Sequence, residues 1–477
     1  MTLTALVAFP FVAGALVWLL PRRTWRRSAL FAASLAHAAL VARACLTDPS
    51  PEWGGALALD ALGRIFLGVL TVLFALSALY TFGYMALHRH PRKRYYVPAL
   101  LFFLGSMTLA TLSHHLGLFW VALEATTLSS APLVFFDRSP RSLEAAWKYL
   151  ILCSVGIALA LAGNFFLALS TPPQSDGSLL LASLLSGAGG LSAPWLKAAF
   201  LFFLVGYGTK MGLAPMHTWL PDAHSEAPPP VSALLSGALL NCAFLGILRV
   251  YGVLEAAGLG DFARKPLLAS GLLSMGTAAA FLVRQGDYKR LFAYSSVEHM
   301  GILAVGVGLG PGAGSFGALL HALNHSLAKG LCFFAAGMVY VLTHTKSVEA
   351  SRGLLKRSPA SAALLLLGLL AIAGTPPFGT FLSDFTILWA ALSSGHYWTA
   401  AFYLLFLATA FAALASAVFT LAFGTPEGHK EALPSRSILF LALPSAVLAL
   451  LSLVAGLYLP QGLLALLRGA GTLGGAP

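Results

Sequence analysis

From Leu3 to Leu459 the sequence is a succession of long apolar runs separated by short, mostly basic loops. A hydrocarbon core about 30 Å thick takes roughly 20 apolar residues per helix, and on that rule about fourteen spans can be laid along the chain. They fall near 3–20, 28–46, 60–86, 97–112, 115–136, 143–169, 194–214, 228–253, 266–283, 290–309, 314–343, 360–391, 399–423 and 437–459, with the twelfth interrupted. This pattern points to an all-α membrane protein. The other architecture that satisfies every backbone group in lipid is a closed β-barrel, whose strands write a short alternating pattern that is absent here. Composition agrees, because only 10% of residues are charged and 58% are hydrophobic. A soluble domain carries about 25% charged residues, so this chain could not build a water-facing shell and lipid must be its main solvent.

The formal net charge is +12, a value that in a soluble protein would raise nucleic acid as a partner. Here the basic residues sit in loops, and their sidedness explains them. Loops after odd-numbered spans carry Arg22, Arg23, Arg26, Arg27, Arg89, Arg92, Lys93, Arg94, Arg138, Arg141, Arg284, Lys289, Arg290, Lys346, Arg352, Lys356, Arg357, Lys430 and Arg436. The opposite side has Arg43, Arg64, Arg264, Lys265 and Arg468. The positive-inside rule puts the first group in the cytoplasm and both termini on the periplasmic side of a bacterial inner membrane. No nucleic acid is expected. Arginines follow the first apolar run rather than precede it, the reverse of a secretory signal, so that run reads as a retained helix. No hydrophilic stretch is long enough for a separate domain, and residues 1–477 read as one polytopic unit. The longest such stretch is the Ser/Gly-rich loop around 171–193. The Gly-rich tail from Gly469 to Pro477 reads as frayed, and the short stretch after Leu459 leaves no room for an extended interfacial helix.

Cys45, Cys153, Cys242 and Cys332 are scattered through apolar segments without a CxxC pair. Iron–sulfur, zinc and disulfide frameworks are therefore not expected. No glycine loop of nucleotide-binding type follows a strand, so no cofactor is expected either.

The informative residues are those that do not belong in lipid, where an ionisable side chain at mid-span costs at least about 2.5–3.5 kcal/mol. Glu124 lies in GLFWVALEATTLSS and Lys210 in GYGTKMGLAPMHTWLPDAHSEAP, both mid-span among small residues. His321, His325 and Lys329 recur at four-residue spacing in HALNHSLAKG, one stripe of a helix. Asp384 follows GTPPFG. Glu144 and Lys148, four apart in SLEAAWKYLIL, read equally as an interfacial ion pair at a helix start or as part of a buried path. His321 and His325 share a face as metal ligands would, but the motif offers neither a third ligand nor a carboxylate, so no metal is expected.

Two of these charges sit beside breaks. Gly206, Gly208, Gly212 and Pro215 surround Lys210 in the seventh span, and Gly374, Pro376, Pro377 and Gly379 precede Asp384 in the twelfth. Irregular backbone at membrane depth is tolerated where it lines a cavity or packs in protein. Broken helices at positions seven and twelve imply two inverted five-helix repeats, about 97–253 and about 266–423, as in transporters. On that offset Lys148 corresponds to Lys329. A lysine in a dry site is pushed towards its neutral form and a nearby carboxylate draws it back, so moving the carboxylate would switch Lys210 between holding and releasing a proton.

At these residues the chain resembles a known family. GLAPMHTWLPDAHSEAPPPVSALLSG and DYKRLFAYSSVEHMG, residues 287–301, are similar to the signatures of the proton-conducting, antiporter-like membrane subunits shared by respiratory complex I, Mrp-type antiporters and group 4 hydrogenases. The resemblance runs from about the third span to the thirteenth. ALEATTLSSAPLV with SLEAAWKYLILCSVGIALALAG looks most like the branch formed by the F components of hydrogenase-4. The resemblance implies a glutamate–lysine pair, Glu124 with Lys210, and a path that continues through Lys148, His217, His321, His325, Lys329 and Asp384. Glu144, Asp222, Glu298 and His299 would support it. Many relatives place a lysine where this chain has Asn241, which cannot carry a proton but can orient water. Some carry lysine where this chain has Asp384.

Such subunits hold no redox centre, so the resemblance implies partners: other membrane subunits and a peripheral hydrogenase-like or quinone-reactive module. The expected role is to couple electron transfer there to proton translocation, as a translocase-type subunit without a catalytic centre of its own. A multi-subunit Mrp-like sodium/proton antiporter, a scaffold that no longer conducts, and an energy-coupling subunit for inorganic-carbon uptake stand as alternatives.

Overall fold

A computed structural model describes residues 1–87, 94–172, 177–425 and 435–472. The loop residues Arg89, Arg92, Lys93 and Lys430, which the sidedness argument uses, lie outside them, as do the last five residues of the tail. Nearly all described residues are helical, and among them only isolated β-bridges form, such as Glu52 with Leu57 and Asp287 with Ser347.

In chain order the helices are α1 (Thr2–Leu19), α2 (Arg23–Thr47), α3 (Ala61–Leu87), α4 (Tyr96–Leu112), α5 (Leu116–Val134) and α6 (Pro140–Ser170). A short α7 (Leu181–Ser186) lies in the Ser/Gly-rich loop. Next come α8 (Ala193–Met211), α9 (Trp219–Glu226), α10 (Pro229–Leu234), a π turn at Leu235–Leu239, and α11 (Leu240–Ala256). They are followed by α12 (Gly260–Leu282), α13 (Tyr288–Gly308) and α14 (Ala313–Thr343). The last part holds α15 (Leu354–Arg357), α16 (Pro359–Ile372), α17 (Gly379–Ser393), α18 (Tyr397–Ala422), α19 (Ser435–Leu457) and α20 (Gln461–Gly471).

Among the described residues eleven helices are long and apolar enough to cross a membrane, with α10 through α11 counted as one, and a bent pair ending in α16 brings the number to twelve. Three of the fourteen expected spans fall outside this measure for readable reasons. Helix α4 has 17 residues. Helix α8 has 19 residues but includes Lys197 and Lys210. The twelfth span is divided into α16 and α17 by the Gly/Pro segment.

Several boundaries differ from the sequence reading, among them the start of α12, which takes in Arg264 and Lys265, the start of α2 and the tail. Arg23, Arg26 and Arg27 lie inside α2 rather than in a loop, because Arg26 Nε donates to the Leu20 carbonyl at 2.7 Å and so caps the end of α1. The tail is not frayed from Gly469: α20 continues to Gly471 and buries Leu467 and Ala470. An 11-residue helix therefore follows α19, because its leucines find cover against the bundle.

Burial sorts the helices into a centre and a rim. The most apolar stretches of α10–α11 and α13 are 100% buried and that of α14 is 83% buried, against 33% in α1, α2, α18 and α19. Rim helices show Trp389, Trp398 and Phe419 to the outside, as lipid contact requires. Close helix approach depends on glycine, since a Cβ on Gly206 of α8 would meet the Gly156 carbonyl of α6 at 2.6 Å.

Candidate functional site

The first cluster forms where α5, α6 and α8 meet. Lys210 lies in the last turn of α8, which stops because Gly212 takes a left-handed conformation (φ 87°). The chain then runs irregularly to α9, held by Ser274 Oγ, which accepts from the Ala214 N–H at 2.9 Å, and by Trp219, whose indole N–H donates to the Thr209 carbonyl at 2.9 Å. Lys210 has no exposed surface. Its ammonium donates to the Thr127 hydroxyl and, at 3.2 Å, to the Tyr149 hydroxyl. Tyr149 OH lies 2.7 Å from Ser130 Oγ. The Glu124 carboxylate stands on the other side of Thr127, 3.5 Å from its hydroxyl, and also accepts from Ser154 at 3.2 Å. Glu124 and Lys210 thus share a cluster with Thr127 between them, instead of touching as a direct ion pair.

Lys148 lies elsewhere. Helix α6 has 31 residues, more than a bilayer needs, and begins with a Ser139/Ser142 capping box. Lys148 is exposed near that end, pairing with Glu144 at 2.6 Å and Asp222 at 2.9 Å. Asp222 also pairs with Arg290 at 3.2 Å. Three expected residues therefore meet in one surface network, and Tyr149, the next residue, turns inward to Lys210.

The centre is carried by α11 and α14. Asn241 Nδ2 donates to the carbonyls of Gly237 (3.1 Å) and Ala322 (3.3 Å) and to Ser326 Oγ (2.7 Å). Its Oδ1 is buried without a protein partner. His325 Nε2 lies 3.4 Å from the Ser236 carbonyl in the π turn. Lys329 Nζ donates to the Phe292 carbonyl at 2.8 Å.

The second cluster joins α13, α14, α17 and α18. His299 Nδ1 is 2.8 Å from His321 Nε2. His321 Nδ1 is 2.9 Å from Ser383 Oγ and 3.2 Å from Asp384 Oδ1. Tyr403 OH donates to the same carboxylate oxygen at 3.0 Å. The break ahead of α17 makes room: Gly374 has φ +62°, and a Cβ there would meet Asp384 Oδ2 at 2.7 Å. Asn324 of α14 donates to the Gly379 carbonyl at 2.7 Å and so fixes the start of α17. Glu298 is buried on α13 beside His299. His217 is buried in the α8–α9 break, 6.3 Å from the Tyr294 ring and 6.4 Å from that of Phe281, and joins neither cluster.

Several residues of these networks carry no mark in the sequence. Thr127, Tyr149, Ser383 and Tyr403 are ordinary in a membrane helix and show their role only when a charge is placed beside them. Arg249, inside the expected eighth span, and Asp60, at the start of the third, are charges whose position alone marks them. At the opposite end of α11, Arg249 donates to the carbonyls of Thr111 (2.8 Å) and Ser113 and lies 3.7 Å from Asp60, which also faces His114 at 3.4 Å. Burial alone would raise the Asp60 carboxyl just ahead of α3, but His114 and Arg249 hold it well below the usual carboxylate range. Among the described residues no group of three or more His, Cys, Asp and Glu is arranged to hold a metal ion.

Residues 113–412 match the family described as NADH:quinone oxidoreductase/Mrp antiporter, transmembrane. The chain is 37% identical over 470 residues to a hydrogenase-4 component F homolog of Methylacidiphilum infernorum, covering 96% of this chain and 97% of that one. A chain of respiratory complex I from Thermus thermophilus superposes with a TM-score of 0.84 at 26% identity and full coverage of both. A chain of an archaeal membrane-bound sulfane sulfur reductase shares the fold, with a TM-score of 0.89 at 23% identity, covering 99% of this chain and 97% of that one.

Proposed function

Because the chain belongs to the NADH:quinone oxidoreductase/Mrp antiporter transmembrane family, we propose that it is the proton-translocating, antiporter-like subunit of a membrane-bound redox complex of hydrogenase-4 or complex I type. The relatives named for hydrogenase-4 and complex I support the redox assignment. The observation that carries the transport assignment is Lys210, a fully buried amine held by two hydroxyls. An amine that donates to two hydroxyls can pass a proton along either of them. Thr127 and Tyr149 give it a hydroxyl relay on each side, and Glu124 waits beyond Thr127. Approach of Glu124 would hold the proton on Lys210, and withdrawal would release it.

The path then continues through the centre, where Asn241 orients water, to His325 and the His299–His321–Asp384 chain. An imidazole accepts at one nitrogen and gives from the other, so two in contact can pass a proton in one direction. Lys329 supplies the charge that sets when they do. Lys148, with Glu144 and Asp222, collects protons at the surface beside the first cluster. We place the basic loops in the cytoplasm and both ends of the chain on the periplasmic side of a bacterial inner membrane, in keeping with the positive-inside rule. We also divide the core into two inverted five-helix repeats, about 97–253 and 266–423, on the strength of the matching breaks after α8 and α16.

Purification in mild detergent followed by reconstitution tests this reading. Redox subunits should accompany the chain, and electron transfer should acidify one side of the vesicle without needing sodium. Recovery of only small membrane subunits with sodium-dependent exchange would overturn it in favour of an Mrp-like antiporter.

A further inference from the structure

One part of the molecule lies outside the path just described. On the face of the basic loops a cavity of about 630 Å³ opens between the α5–α6 loop, the end of α9, the α12–α13 turn and the end of α14. Asp137, Arg141, Glu226, Asp287, Tyr340 and Lys346 line it. A narrower void shares Asp137, Glu226, Tyr340 and Lys346 and reaches Lys289. Glu226 and Lys346 pair at 2.8 Å across both. Lys289 is 3% exposed, and its ammonium donates to the carbonyls of Ser225 (2.7 Å) and Ala227 (2.5 Å), where α9 ends. The neighbour of Ser225 on the inner side is His224, which has no exposed surface and no protein partner on either ring nitrogen. Its ring lies 5.4 Å from that of Phe333, one turn beyond Lys329 on α14. Lys289, Lys329 and His325 all stand within electrostatic reach of the imidazole.

A buried imidazole with two unpaired nitrogens costs free energy unless water fills the gaps. Hydrated, it is a relay between Lys289, which lines the narrower void, and the central stripe. We propose that the cavity, Lys289 and His224 form a second proton-uptake route, which loads the Lys329–His325 stripe directly and bypasses Lys210. The Lys289 ammonium gives a proton through water to one His224 nitrogen, and His224 releases its other N–H proton towards His325 and Lys329. A proton from bulk water, entering past the Glu226–Lys346 pair, then restores the ammonium on Lys289. One N–H bond breaks for each that forms, and no electron moves. The inference rests on the transport reading above.

The test measures protons moved per electron in vesicles containing the intact complex, for His224→Phe, Lys289→Arg and a Lys210→Met control. Arginine keeps the charge and donors that bind the two carbonyls but cannot deprotonate, so it preserves a clamp and stops a relay. The route predicts that His224→Phe and Lys289→Arg each lower the ratio at least twofold with electron transfer intact, and that adding His224→Phe to Lys210→Met removes what pumping the control retains. Wild-type ratios in both variants, with the control impaired, would overturn the route alone. An unchanged Lys210→Met control would overturn the transport reading itself. Should Lys289→Arg not assemble, His224→Phe decides.

Discussion

The two clusters beside the broken helices solve the same problem in opposite ways. Around α8 the amine of Lys210 is kept apart from Glu124 by the Thr127 hydroxyl. Around α17 the titratable groups touch, with His299 on His321 at 2.8 Å and His321 on Asp384 at 3.2 Å. A separated pair can be tuned by a small movement, because the interaction of two charges rises steeply as they close in a low dielectric. A contact chain is a conductor, whose imidazoles accept and donate along fixed lines. On the proposed function, the contrast makes the first cluster the switch and the second the conductor.

Breaking the second cluster should have the largest effect. His321→Leu removes the link between His299 and Asp384, and proton pumping by the reconstituted complex should fall about a hundredfold, the lower end of what general acid–base groups contribute, with electron transfer retained. Thr127→Val keeps the shape of the bridge and deletes its hydroxyl, which leaves Lys210 with one partner. The loss of a hydrogen bond to a charged group costs about 1.5–3 kcal/mol, so pumping should drop about tenfold, and Thr127→Ser should restore it. Gly374→Ala strains a left-handed position and sets a methyl against Asp384. It should destabilise the fold by about 1–3 kcal/mol, visible as a lower thermal midpoint in detergent. Lys148→Gln acts on an exposed network, where ion pairs are worth about 0–1 kcal/mol. Its pumping should change less than about twofold, because Glu144 and Asp222 still collect protons there, and a total loss would make Lys148 itself obligatory to uptake.

Much of this layout is readable from residues in order. Apolar runs place the helices, and the Gly/Pro segments after Lys210 and before Asp384 place the breaks, because those residues cannot continue a helix. The His321–His325–Lys329 spacing gives one face of α14. What escapes has a physical reason in each case. For Lys148 the sequence leaves an ion pair with Glu144 and a buried path equally open, and only the fold shows it exposed and paired with Glu144 and Asp222. Tyr149 and Thr127 are unremarkable until the fold sets Lys210 against them. The order of contacts from His299 to Asp384 depends on four helices packed at once, which no local pattern encodes. His224 hides inside a motif whose aspartate and prolines draw attention first, and only its two unpaired nitrogens mark it.

Proton switching at Lys210 is tested most directly by the proton-to-electron ratio of the assembled complex carrying Lys210→Met. Methionine fills the same space and removes the only group in the first cluster that can hold a proton between Thr127 and Tyr149. The variant complex should assemble and transfer electrons but move markedly fewer protons per electron than the wild type. A Lys210→Met complex with an unaltered ratio would contradict a switch at this lysine.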